Sequence, residues 1–548
     1  MKHALLNAVK HDGKADVQAV IRKVISESAG IKDRLKEILP IADKVVRQVN
    51  AMTIEEQKQM IERLGLSVEN KKHEEKGLPD LKNAKFGKVV MRLAPYPSGP
   101  LHIGNARMVI LNDEYVKRYK GRLLLVFDDT IGSKEKTILP EAYKMIEEDL
   151  EWLGVKCHAK FFKSDRMPIF YEYATQIIEA GHAYVCTCTE EEVRRNRRNG
   201  TECFCRERSV TENLELWRDM LSGKIKEGKA TVRLKTDMKH PNPAFRDRVL
   251  LRISERPHPR VGTKYRVWPM LEFSWAVDDY LLGVTHILRG KQLVIEDLME
   301  KFIWEKMGWP IKEFVHYGML NVEGATLSKS NIRKMINGGT LSGWDDPQTW
   351  TLRALKRRGF QPQAIRNFIL KMGLSEADVT VPVEILYAEN RKLIDAVSNR
   401  YMAVLSPVAI SVRNAPPKSE TKIHMHPDFP DRGERTLPVN ASKIYVEKDD
   451  FEKLKGKVVG LINLFSVRLD KTSEFESGMI SYDIPKIHWV SEPNTKVKIV
   501  MPDGSVKEAL AEIGVKDLKE DDLVQFYRVG FCRVDKVGRE TVLYFTHK

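Results

Sequence analysis

Cysteine is scarce in this 548-residue chain: there are six, and four of them crowd between Cys186 and Cys205. A chain this poor in cysteine carries no disulfide framework of the kind that staples small secreted folds, and the crowding of four thiols points to metal ligation instead. Long apolar runs are missing too. No stretch approaches the roughly 18 uninterrupted apolar residues that a bilayer-spanning helix needs. The N-terminal MKHALLNAVKHDGKADVQAV lacks the continuous apolar segment of a signal peptide. The expectation is a cytoplasmic protein with no membrane partner. Internal repeats are absent, and no Lys/Arg run is long enough to form a basic tail.

What the chain does have is the composition of a folded, water-soluble protein. Its 42% hydrophobic and 30% charged residues, at a mean hydropathy of -0.38, exclude a fibrous or disordered class. Lys and Arg number 91 against 76 Asp and Glu, a net charge of +15, which favours a polyanionic partner such as nucleic acid or an acidic membrane surface. At roughly 150 residues per domain the length predicts about three or four domains.

Residues 1–80 read as a helical extension: Val17, Val20, Ile21, Val24 and Ile25 follow helical spacing, and the charged stretch 70–76 with Gly77-Leu78-Pro79 closes the segment. Over 87–180 and again over 266–345, short apolar runs alternate with helical segments, which predicts a doubly wound, Rossmann-like parallel sheet. Strands are expected at 89–93, 123–127, 284–288 and 314–317. Ile103, Ala106 and Ile110 put a helix between the first two. Ligands of such sheets sit beyond the carboxyl ends of the strands, over a helix N-terminus. Those ends carry residues 92–102, Asp128-Asp129-Thr130 and Arg289-Gly290. Residues 181–265, with the cysteines and the turn His240-Pro241-Asn242-Pro243, read as an insertion. Residues 346–419 turn helical again, and 420–548 form short β-rich runs expected to close into barrels. The predicted class is therefore multidomain α/β.

Three constellations carry chemistry. The first is the run Met91 to Asn105, a strand passing through a Pro/Gly turn into a helix. His102 near the helix start suits hydrogen bonding to phosphate oxygens, Gly104 leaves room for a flat ring, and the helix dipole favours an anion. On its own, His-Ile-Gly reads more simply as a helix cap. The second is Leu327-Ser328-Lys329-Ser330, where a lysine in a Ser-flanked loop suits charge neutralisation on phosphates. In isolation it is an ordinary surface lysine. The third is Cys186-Thr187-Cys188 with Cys203-Phe204-Cys205, two close pairs able to surround a tetrahedral Zn(II), although C-x-C is rarer than C-x-x-C. The intervening Arg194-Arg195-Asn196-Arg197-Arg198 is too polar to form a core. It faces either phosphate or solvent.

Taken together, the first two segments resemble the two signature motifs of class I aminoacyl-tRNA synthetases. The runs VFDDT at 126–130, YRVWPM at 265–270, Asp278-Asp279, LGVTHILRG at 282–290 and GWDDP at 343–347 resemble the glutamyl/glutaminyl branch, in particular the archaeal type of glutamyl enzyme. The likeness continues through Leu352 to Arg358 and AIRNFILKMGL at 364–374. It spans nearly the whole chain, from residues 4–9 to residues 524–531.

The resemblance implies ATP-dependent ligation of L-glutamate to tRNA(Glu) through a glutamyl-adenylate, with ATP, Mg(II) and a structural Zn(II). It implies tRNA(Gln) as a second candidate acceptor and a monomeric state. His102 and Lys329 would be catalytic. Pro97, Ser98, Gly99, His102, Gly104, Asn105, Ser328, Lys329 and Ser330 would bind ATP. Arg92, Ala94, Ser98, Asp128, Leu271, Trp275 and Arg289 would face glutamate, and Cys186, Cys188, Cys203 and Cys205 would hold the metal. Residues 181–265 would bind the tRNA acceptor end, 346–419 the stem and 420–548 the anticodon. The chain departs from the family pattern at Asn105 and Thr326, in place of a histidine and a lysine, at Ile131 in place of an aspartate, and at Leu271 and Trp275, where a tyrosine and a small polar residue are usual.

Arg92 ends a buried strand, where an unpaired charge would cost several kcal/mol. Its partner is either the substrate carboxylate or, structurally, Asp128 or Asp129. A glutaminyl enzyme would leave Arg92 without a substrate partner. A non-catalytic tRNA-binding paralogue is the other rival, on account of the departures. Replacing Lys329 with alanine is expected to lower the adenylation rate about a hundredfold, roughly 3 kcal/mol, while glutamate binding changes little. An unaltered single-turnover rate would take Lys329 out of the chemistry.

Overall fold

The computed structural model describes residues 1–10, 13–17, 19–21, 24, 35–64, 77–133, 137–325 and 327–548; Ile25, the stretch 70–76 and Thr326 lie outside the described residues. The chain divides into two compact units, Met1–Lys76 and Gly77–Lys548. In the first, helices Lys2–Lys10, Leu35–Asn50 and Ile54–Arg63 pack around Ala4, Leu5, Ala8, Val20, Val46, Val49 and Ile61. Thr53 and Glu56 close a capping box on the third helix, and the buried Gln57 donates to Gly13 O and Val49 O, both at 2.9 Å.

The second unit opens with a parallel sheet. Strand β1 (Val90–Leu93) leads through helix α1 (Ile103–Arg118) to β2 (Arg122–Phe127), and α2 (Ala142–Trp152) leads on to β3 (Ala159–Phe162) and α3 (Met167–Glu179). Later in the chain come α4 (Leu271–Leu281), β4 (His286–Gly290), α5 (Val294–Met307) and β5 (Glu313–Tyr317). β1–β2, β2–β3 and β4–β5 pair in parallel. The halves meet where Thr285 N donates to Val90 O and Val90 N donates to Thr285 Oγ1, each at 2.9 Å. The resulting order is β3-β2-β1-β4-β5, so the order reverses between β1 and β4, the place where such sheets open a crevice.

Alternation along the strands explains the layering. Met91, Leu93, Leu123, Leu125 and Phe127 join one core with α1 and α2, while Val90, Leu124 and Val126 join a second core with α3, α4 and α5. Successive side chains point to opposite faces, so helices cover the sheet on both sides. The expected strand at 284–288 starts two residues later: the Val284 N–H is taken by Asp279 O, Thr285 makes the junction to β1, and pairing with β5 begins at His286.

Between α3 and α4 lies an antiparallel sheet in the order Ala183–Cys186, Thr231–Leu234, Val249–Ile253, Val267–Pro269. Helices α6 (Lys329–Asn337) and α7 (Leu352–Arg357) follow β5, and Pro362–Met372 ends at Gly373 as its spacing predicts.

The C-terminal region corrects an expectation. Its strands form two seven-stranded sheets and one two-stranded sheet, not closed barrels. The end strands of one are Lys486–Ile487 and Trp489–Ser491, and those of the other are Asn399–Tyr401 and Ala403–Val404. In each case the two ends are consecutive pieces of one extended run, broken only at His488 or Met402. No ladder pairs the two end strands of either sheet with each other among the described residues, as closure of a barrel by its first and last strands requires.

Candidate active site

The turn from β1 into α1 is built from Pro95, Pro97 and Pro100, and α1 begins with His102 as its cap. His102 Nδ1 accepts the Asn105 N–H and Asn105 Oδ1 accepts the His102 N–H, both at 3.3 Å. The cap decides the tautomer: a ring nitrogen that accepts a backbone N–H cannot carry a proton, so the proton sits on Nε2. Burial, aided by the nearby Lys329 charge, pushes the His102 imidazole down to about 3. It is therefore a neutral donor at physiological pH. The cap reading of His102 is met through Nδ1, and the N–H that the phosphate reading needs stays on Nε2.

Lys329 begins α6, with Ser328 as N-cap, and its Nζ reaches Gly99 O at 3.3 Å across 230 residues. Gly99 is required: a Cβ there would stand 2.8 Å from Trp344, whose ring lies against the turn. A Cβ on Gly104 would meet the His102 ring at 3.0 Å and Leu327 at 3.3 Å. Beneath the turn, Asp149 accepts the Leu101 N–H at 2.7 Å, and burial pushes its carboxyl up to about 7. Pro97 is buried; Ser98 and Asn105 are half-buried, and Ser328 and Ser330 exposed.

Beside this turn, at the carboxyl ends of β1 and β4, lies a cluster of buried charges. The Arg92 fork is held by Asp279, Nε to Oδ1 at 2.5 Å and Nη2 to Oδ2 at 2.8 Å. The carboxylate partner is thus Asp279 on α4, not Asp128 or Asp129. Asp128 pairs with Lys163 at 3.0 Å, and Asp129 accepts the Ser164 N–H at 2.9 Å and the Tyr143 hydroxyl at 3.0 Å. Arg289 is bound to Asp297 and, at 2.8 Å, to Glu300. Burial pushes the Glu300 carboxyl up to about 8 although Arg289 pulls it down. Trp275 stands between the cations, while Leu271 and Ala94 are half-buried at the margin.

The four cysteines of the antiparallel sheet also converge. Their Sγ atoms all lie within 4.8 Å of one another, with Cys186–Cys203 at 3.9 Å and Cys188–Cys205 at 3.8 Å. A tetrahedron with metal–sulfur bonds of about 2.3 Å has edges of about 3.8 Å, so the set is shaped for a metal ion and is far too open for disulfides. Arg233 Nη1 faces Cys186 and Cys203 at 3.6 and 3.8 Å.

The contact of Lys329 with Gly99 unites the two signature segments. Comparison with known families agrees: residues 88–396 match the catalytic domain of "tRNA synthetases class I (E and Q)", and 398–485 and 486–535 match two anti-codon binding domains of the same group. The chain belongs to the class I tRNA synthetases of the E and Q group. Proteins named glutamate–tRNA ligase are similar over its full extent. The one from Methanocaldococcus jannaschii is 44% identical over 543 residues, 97% of this chain and 96% of its own. The one from Pyrococcus abyssi is 45% identical over 570, covering 100% and 99%.

Sequence reasoning left several residues of this synthetase's pocket without a role. Lys163 follows β3 directly, so the rule that ligands gather at carboxyl ends would have found it, had the half-exposed strand Ala159–Phe162 been recognised. Asp279 stood in a motif but unassigned, and the contact of Trp344 with Gly99 has no local signature. The Arg92–Asp279 pair makes a stability prediction. With both side chains buried, Arg92→Gln is expected to cost about 3–5 kcal/mol by stranding a carboxylate. Arg92→Gln/Asp279→Asn is expected to recover more than about 1 kcal/mol relative to the sum of the single changes. Additive denaturant midpoints would mean that the pair is not a structural unit.

Proposed function

We propose that this chain is a glutamate–tRNA ligase, activating L-glutamate with ATP and transferring it to tRNA. The observation that carries the reading is the joined turn, where a neutral His102, the Lys329 ammonium and the N-terminus of α1 converge across 230 residues. The name shared by the full-length relatives supports glutamate over glutamine. In the first step the glutamate α-carboxylate attacks the ATP α-phosphate in line and pyrophosphate leaves. In the second, a terminal ribose hydroxyl of tRNA attacks the carbonyl and AMP leaves. Such chemistry runs on positioning and charge neutralisation.

In this reading the His102 Nε2–H and Lys329 meet phosphate oxygens, where a preorganised donor costs no reorganisation as charge develops. Pro97 and Gly99 shape the turn, and Gly104 lets the imidazole lie close to α1. Ser98, Asn105, Ser328 and Ser330 border the nucleotide. An N–H and an ammonium suit phosphate rather than metal, so Mg(II) would be carried by ATP and would neutralise the departing pyrophosphate. Arg92, Arg289 and Asp128, with Ala94, Leu271 and Trp275, border the amino acid. The net charge of +15 suits tRNA, with the C-terminal sheets contacting unpaired anticodon bases. No described helix is long and apolar enough to cross a membrane.

ATP–pyrophosphate exchange measured with tRNA present tests the substrate. Exchange with glutamate is expected, and exchange with glutamine alone, or with no amino acid, refutes the reading. Cys186, Cys188, Cys203 and Cys205 would hold Zn(II) as a closed structural site, with Arg233 offsetting part of the thiolate charge. Metal analysis of protein purified without chelator should find about one zinc per chain. Cys186→Ser/Cys188→Ser should lose the metal and melt at lower temperature; unchanged metal content and stability would disprove the site.

A further inference from the structure

Trp275 is the residue of the amino-acid pocket that the proposed reaction does not explain. Its ring centroid lies 4.6 Å from Arg92 Cζ, 4.8 Å from Arg289 Cζ and 5.1 Å from Lys163 Nζ, three cations on one indole. The residue is 5% exposed, and its Nε1–H has no hydrogen-bond acceptor among the described residues. Buried donors are nearly always satisfied, and an exception calls for a reason. Among the contacts of the ring are three cations, each close enough for a cation–π interaction.

None of the three cations needs the indole for neutralisation. Arg92 has Asp279, Arg289 has Asp297 and Glu300, and Lys163 has Asp128 and donates to Ser274 Oγ at 2.7 Å. The charged frame therefore keeps its own supports when the ring leaves, and the indole N–H gains an acceptor, water or substrate, by leaving. The place the ring fills is bordered by the same arginines that are proposed to contact glutamate.

We propose that Trp275 is the gate of the amino-acid pocket: in the free enzyme its indole occupies the space of the substrate side chain, and glutamate enters by displacing it, its carboxylate then lying against the cations the ring covers. This rests on glutamate being the substrate and on Arg92 and Arg289 being its contacts. When the competent form is a minor population, apparent affinity falls by that fraction, so the gate sets a weak affinity for glutamate that a smaller residue would relieve.

The test measures ATP–pyrophosphate exchange with tRNA against glutamate concentration for the full-length wild type, Trp275→Asn and Trp275→Phe. Opening the gate with asparagine should lower the KM for glutamate about tenfold and leave that for ATP unchanged. Phenylalanine, still an aromatic cover, should keep the KM for glutamate above that of Trp275→Asn. If wild type uses glutamate and Trp275→Asn has an equal or higher KM, the gate is overturned while the substrate assignment stands. If no protein of the series uses glutamate, both fall. Should Trp275→Asn not fold, the fluorescence difference between wild type and Trp275→Phe isolates this indole. Saturating glutamate should shift that difference, and no shift overturns the gate.

Discussion

A charge buried at the carboxyl end of a sheet strand has to be paired, because leaving it alone costs several kcal/mol. Arg92 on β1 and Arg289 on β4 stand on adjacent strands at the reversal point of the sheet, and Lys163 follows β3. Their partners come from different elements: Asp279 from α4, Asp297 and Glu300 from α5, Asp128 from the end of β2. The same pairs that satisfy the charges therefore anchor α4 and α5 over the strand ends. A bidentate guanidinium–carboxylate contact also fixes direction, so the walls of the pocket are oriented before any ligand arrives.

Preorganisation of a second kind acts at the turn from β1 into α1. A histidine that caps a helix through Nδ1 has its ring orientation and tautomer decided by the backbone, and burial beside Lys329 keeps it neutral. Asn105, which departs from the family pattern, completes that capping box. The departure therefore has a structural use here, whatever else a histidine does at that position in relatives.

Much of this was legible beforehand. The strands that carry Arg92 and Arg289, the strand that Asp128 follows, the helix capped by His102 and the glycine stop at Gly373 follow from side-chain period, capping and turn chemistry, which act over a few residues. The convergence of Cys186, Cys188, Cys203 and Cys205 was legible from their spacing. The closing of the C-terminal barrels was misread, because short β-rich runs give strand positions but not which strands form the two ends, and those ends proved to be consecutive pieces of one run. The structural alternative for Arg92 was misplaced for a related reason. Asp128 and Asp129 are near at hand in the topology, but Asp128 was taken by Lys163 and Asp129 by Ser164 and Tyr143, leaving the fork to Asp279, 187 residues away.

By itself, then, the sequence determined the elements, the two signature segments, the cysteine set and the family, since each depends on residue types at local spacings. Only the tertiary structure decided which carboxylate neutralises which cation, that Lys329 meets Gly99, and that Trp275 stands among three cations. Those outcomes depend on competition for partners through space, where distances of 3 to 5 Å are set by helices docking on a sheet and leave no periodic trace along the chain.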